Sequence, residues 1–94
     1  MKKAYLETAL RNDIKRDMWG YIESHDDNYC YNDEFDTDDL DEIVDKTNTL
    51  KEFVGEEPTA TRESVIAEME EMIVNLNSQR KPNEQVHVTN WIHG

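Results

Sequence analysis

Between Arg62 and Asn77 the apolar residues Val65, Ile66, Met69, Met72, Ile73 and Leu76 recur at steps of three and four. On a wheel of 100° per residue they fall within one arc of roughly 120°, a stripe that an α-helix turns toward a single core. The spacing predicts a helix from Arg62 to about Asn77, capped by Thr61. The same period appears upstream. Leu6, Leu10, Ile14, Met18 and Ile22 stand four apart, a ridge along a helix predicted over 3–24, with Tyr5, Ala9 and Trp19 to one side. Gly20 weakens the last turn of that helix by about 1 kcal/mol relative to alanine, which marks a place for bending or fraying. A further stripe, Leu40, Ile43, Val44, Leu50 and Val54, predicts a helix over 37–54. Asp36 or Thr37 suits its N-cap, acidic residues crowd the first turn where the helix dipole favours them, and Gly55 stands where a C′ glycine belongs. Pro58 confirms the break.

Two segments lack this period. Residues 25–36, HDDNYCYNDEFD, are turn-rich and acidic, and Tyr29, Tyr31 and Phe35 either form a short strand or pin the loop to the core. In the tail, 79–94, Pro82-Asn83 marks a turn and Val86-His87-Val88 alternates as a strand does, while Trp91 and Ile92 form an apolar anchor. Ninety-four residues suffice for one domain, 1–94, burying about two-thirds of the unfolded surface. The expected fold class is mainly α, a compact three-helix domain. A small two-stranded β element (α+β), joining 29–35 to 85–92, is an optional addition.

Charge is the second constraint. The formal net charge is −12, and it is unevenly placed. Residues 1–22 hold five basic and three acidic side chains, residues 23–57 two basic and fourteen acidic, and residues 58–94 three basic and five acidic. The whole excess lies in the middle third. Such a chain is not an ordinary basic nucleic-acid binder or a polybasic membrane-surface protein; it favours cationic partners. On the helix predicted over 37–54, Asp38, Asp41, Glu42, Asp45 and Glu52 lie opposite the apolar stripe. Like charges three and four residues apart each cost a few tenths of a kcal/mol. The first four span about 10 Å of axis, one charge per ~3 Å, against one per ~3.4 Å along a DNA strand. The plainer reading of the same face is a solvated, solubilising surface.

The run Asp36-Thr37-Asp38-Asp39-Leu40, continued by Ile43 and Asp45, resembles a helix in phage antirestriction DNA mimics of the overcome-classical-restriction (Ocr) type. The resemblance covers about ten residues and implies a small acidic phage protein that occupies the DNA groove of a host restriction or modification enzyme. It implies a surface role for Asp36, Asp38, Asp39 and Asp45. The chain departs from that family in its tail, QRKPNEQVHVTNWIHG, which is nearly neutral where the family's is strongly acidic.

Other chemistries are poorly supplied. An EF-hand loop begun at Asn32 places Asn32, Glu34, Asp36 and Asp38 correctly, but Thr37 stands at the glycine position and Ile43 at the final glutamate. Cys30, His25, His87 and His93 do not match any paired zinc spacing. No phosphate-cradling glycine loop, nucleophile elbow or HExxH occurs, so neither enzyme activity nor a metal or cofactor is expected. A single cysteine precludes an internal disulfide, the N-terminus has no apolar run, and no stretch approaches the ~18 apolar residues of a membrane span; the expected setting is cytoplasmic, the host cytoplasm if phage-encoded. Met69 and Met72 suit core packing or a dimer seam more than a partner groove, so a homodimer stays open.

The leading expectation is a DNA-mimic inhibitor that binds the basic groove of a DNA-handling host protein, without contacting nucleic acid or membrane itself. Its binding face is Asp33, Glu34, Asp36, Asp38, Asp39, Asp41, Glu42, Asp45 and Glu52. The alternative is a regulatory or assembly module that uses its apolar helix face and Trp91, with the acidic face only solvated. A cation-responsive protein is a third reading.

Overall fold

The computed structural model describes residues 2–27, 37–89 and 91, and at positions 2, 3, 37 and 38 the backbone alone. Three helices run in order: α1, Lys2–His25; α2, Thr37–Phe53; and α3, Arg62–Asn77, followed by a 3-10 turn at Pro82–Glu84. The predicted periods and the observed helices agree within two residues at every end. α1 continues five residues past Gly20, whose entropic cost is smaller than the burial on either side of it.

Local chemistry sets the helix ends. α2 stops in a Schellman turn: Gly55 adopts φ +84°, Glu56 N–H donates to Lys51 O at 2.7 Å, and Gly55 N–H donates to Glu52 O at 3.2 Å. α3 starts at a capping box in which Ser64 replaces the usual glutamate. Ser64 N–H donates to the Thr61 hydroxyl at 3.2 Å, and Thr61 N–H donates to Ser64 Oγ at 2.8 Å.

The three apolar stripes meet in one core. Met18, Tyr21 and Ile22 of α1, Leu40 and Ile43 of α2, and Val65 and Met69 of α3 are almost wholly removed from solvent. α1 and α2 share the most extensive contact, and α3 closes over both.

Among the described residues there is no strand; the expected partner segment, 29–35, lies outside them. Val86 N–H donates to Asn77 Oδ1 and Val86 O accepts from Asn77 Nδ2, both at 2.8 Å. Those are the groups a ladder at Val86 requires, and a side chain of α3 already uses them. Further ties are Gln85 Nε2 donating to Asn77 O at 3.2 Å, a backbone bond from Asp27 N–H to His87 O at 2.8 Å, and the Asp27 carboxylate, which accepts from Thr89 N–H and Oγ1 at 3.2 and 3.0 Å. Trp91 docks by its backbone carbonyl, which accepts from the Tyr21 hydroxyl at 2.5 Å, and by its ring, which stacks on Tyr21 at 6.3 Å between centroids. Of the expected anchor pair, Trp91 docks against α1, and Ile92 lies outside the described residues.

A second asparagine repeats the device. Ala60 N–H donates to Asn48 Oδ1 at 2.8 Å, and Asn48 Nδ2 donates to Ala60 O at 3.2 Å. One α2 side chain therefore holds the residue just before the α3 cap, and one α3 side chain holds the tail.

Candidate functional site

The helical period that buries Leu40, Ile43 and Leu50 turns Glu42, Asp45 and Glu52 outward on α2. All three side chains are exposed, and they form no ion pair with any described residue. Two steps around the helix the character changes. Lys46 leans over α1 and binds Asp17 at 2.5 Å and Asp13 at 3.0 Å, with its side chain about one-third exposed. Hydrogen bonds to Asp17 and then Asp13 raise the Lys46 ammonium above its ordinary range. The Asp13 carboxyl is lowered, chiefly by the hydrogen bond from Lys46, with Arg16 adding to the effect. Asp39 and Glu42 flank this clamp, lining a small dent with Asp17, Ile43 and Lys46.

The opposite flank carries a second cation, Arg62. Asp41 receives a two-pronged grip from Arg62, the first residue of α3: Nε to Oδ1 at 2.7 Å and a terminal guanidinium nitrogen to Oδ2 at 2.8 Å. That hydrogen bonding lowers the Asp41 carboxyl below its usual value. Asp41 and Glu42 are sequence neighbours with opposite fates. Asp41 turns to the side where α3 begins and is paired, whereas Glu42 faces water.

The nine residues expected to form one binding face therefore divide. Glu42, Asp45 and Glu52 stand in an outward strip. Asp39 sits half-buried at its edge, beside the Lys46 clamp. Asp41 is held by Arg62 and is a weaker candidate than the sequence suggests. Asp33, Glu34 and Asp36, and the Asp38 side chain, lie outside the described residues. The strip of three spans ten residue steps of helix, about 15 Å, a mean spacing of ~7.5 Å between charges, sparser than the ~3.4 Å of a DNA strand.

Sequence reasoning missed Asp13 and Asp17, which add two carboxylates beside the strip from another helix. It also missed Lys46 and Arg62 as bounding cations. Lys46 was visible on the wheel, four residues after Glu42; no local pattern pairs Asp41 with a residue 21 positions on.

Metal chemistry gains no support from the arrangement. Among the described residues no three His, Cys, Asp or Glu side chains gather at a metal-sized point. Of the four residues weighed for zinc, Cys30 and His93 lie outside the described residues; His87 is exposed. His25 is buried in the last turn of α1, its Nδ1 within 2.8 Å of Tyr21 O and 2.9 Å of Ser24 Oγ. The calcium-like run from Asn32 begins outside the described residues. Among the described residues, no helix is long and apolar enough to cross a membrane. No protein-family model, curated protein or solved structure matches this chain.

Proposed function

We propose that this chain acts by binding another protein, offering the α2 carboxylates to a cationic cleft that otherwise holds nucleic acid. The observation that carries the reading is the outward strip of Glu42, Asp45 and Glu52, left without an ion pair among the described residues while the nearby cations Lys46 and Arg62 are engaged at its flanks. A cationic cleft approaching this face meets carboxylates that form no ion pair with any described residue. Asp39, half-buried in the first turns of α2, adds a carboxylate at the edge of this strip. The target in this reading is a DNA-handling enzyme of a host cell, and the chain an inhibitor encoded by a phage or another mobile element and acting in the host cytoplasm.

The experiment is capture of partners from host lysate at two ionic strengths, with wild type and with a triple variant, Glu42→Gln, Asp45→Asn and Glu52→Gln. Charge-driven binding falls steeply as salt rises, because the Debye length shrinks to ~8 Å at physiological ionic strength. The triple variant should lose the partner while keeping its helix content. A partner retained equally at low and moderate salt, or by the variant, refutes the reading.

A second reading, an assembly module using apolar surface, is favoured by a separate observation. Tyr5 and Leu6 of α1 are 74% and 49% exposed. Trp91 is less available to it, because its ring and carbonyl are committed to Tyr21.

A further inference from the structure

Arg62 stands where a helix does not call for a cation. It is the first residue of α3, at the positive end of the helix dipole, and the cap there is complete without it: Thr61 and Ser64 exchange the capping bonds, and Glu63 supplies the acidic residue of the first turn. Nor is it needed to tie α3 to α2. Asn48 already grips both backbone groups of Ala60, two residues earlier. What Arg62 does is close on Asp41 through two bonds, at 2.7 and 2.8 Å, with both side chains close to half exposed, at 43% and 48%. Asp41 lies one helical turn before Asp45 and about three turns before Glu52, so its carboxylate belongs to the same row as the strip. With it, four carboxylates span eleven residue steps, about 16.5 Å, and the mean spacing falls from ~7.5 Å to ~5.5 Å.

We infer that the Arg62–Asp41 pair is an autoinhibitory latch on the acidic face: Arg62 occupies Asp41 in the free protein, and a guanidinium of the partner displaces it and takes Asp41 as the fourth carboxylate of the strip. The inference rests on the reading of that strip as a surface for a cationic cleft. Two properties suit the pair to exchange. An exposed ion pair is worth little, because water and salt screen it and two side chains lose freedom to hold it, so it opens at small cost. The fork of Arg62 also shows that Asp41 is placed for two-pronged binding, a geometry that an arginine of the partner reproduces. The Lys46 clamp is of another kind. Lys46 bridges Asp13 and Asp17 on α1 with its side chain 31% exposed, and its removal leaves two carboxylates facing each other. The latch therefore selects among cationic surfaces: one that brings an arginine to Asp41 recovers the fourth contact, and one that does not meets only three.

A double-mutant cycle on the full chain tests this, read as affinity for an oligo-arginine peptide of about nine residues at about 50 mM salt. Arg62→Gln should tighten binding about two- to five-fold, the range that an exposed ion pair spans. In an Asp41→Asn background the same change should have a clearly smaller effect, because the carboxylate it would release is gone. In the wild type, the Arg62 Nε–H resonance should move as peptide is added, reporting displacement without any substitution. Equal gains with and without Asp41 overturn the latch, since the change in net charge then accounts for them. So does the absence of any gain, or an Arg62 resonance that stays fixed while the peptide binds. The strip is judged separately. A wild type that does not bind the peptide, or a Glu42→Gln, Asp45→Asn, Glu52→Gln variant that binds it as tightly, removes the functional reading and the latch with it. Binding that the triple variant loses, with an additive cycle at Arg62 and Asp41, removes the latch alone.

Discussion

Asn77 gives the sharpest test of how the tail is held. Its amide makes a reciprocal pair with one residue, donating through Nδ2 to Val86 O and accepting from Val86 N–H, each at 2.8 Å. Asn77→Asp keeps the shape and the acceptor but removes the donor, and sets a carboxylate oxygen against a carbonyl oxygen. One net hydrogen bond is worth about 1 kcal/mol, and leaving the half-buried carbonyl unsatisfied adds about as much again, so the variant should lose about 2 kcal/mol at neutral pH. For a domain of this size that is on the order of 10 °C in melting temperature. The loss depends on pH. The introduced carboxyl faces a carbonyl in the fold, which disfavours its charged form and raises its folded pKa above the unfolded value of about 3.9. A raised pKa leaves stability in place below the unfolded value and removes it as pH rises through the folded one. The neutral carboxyl can also donate to Val86 O and so restore the clamp. Urea unfolding of wild type and variant, followed by circular dichroism at about pH 3.5 and pH 7, reads the difference directly. The deficit should be small in acid and full at neutrality, whereas Asn77→Ala should show a deficit that does not change between them. An Asn77→Asp deficit equal at both pH values, or absent at pH 7, refutes the clamp.

Lys46→Met should destabilise the fold in a pH-dependent way, because it leaves Asp13 and Asp17 facing each other and the α2 acids without a cation between them. Asp13 is lowered by Lys46, so its contribution is present above the ordinary carboxylate range and is lost as pH falls through its folded value; Lys46 is raised, so its contribution is present below the ordinary lysine range and is lost as pH rises through its folded value. The gap in melting temperature between wild type and variant should be widest across the neutral range and narrow at both extremes; a gap constant with pH counts against the clamp. Gly55→Ala should cost about 1 kcal/mol from backbone conformation alone, since φ is +84° and the added methyl meets no atom within 4 Å. An unchanged denaturation midpoint would show that the turn after α2 does not hold that conformation in solution.

What the chain states locally, it states well. The spacing of Val65, Met69, Met72, Ile73 and Leu76, with Thr61 before it, located α3 to the residue, and the step-of-four ridge located α1 within one. Gly55 marked the end of α2 because only a residue tolerant of positive φ closes a Schellman turn cheaply. These features are set within a few residues by steric and hydrogen-bond requirements that a sequence displays. Tertiary packing decided the rest. Whether Asp41 is free depends on Arg62, and whether the flank beside Glu42 and Asp39 is purely acidic depends on Lys46 reaching Asp13 and Asp17 on α1. The tail forms no strand among the described residues because Asn77 reaches Val86 first. Each of these outcomes turns on side chains distant in sequence arriving within about 3 Å of one another, and periodicity along a single helix carries no information about what the neighbouring helix brings to its flank.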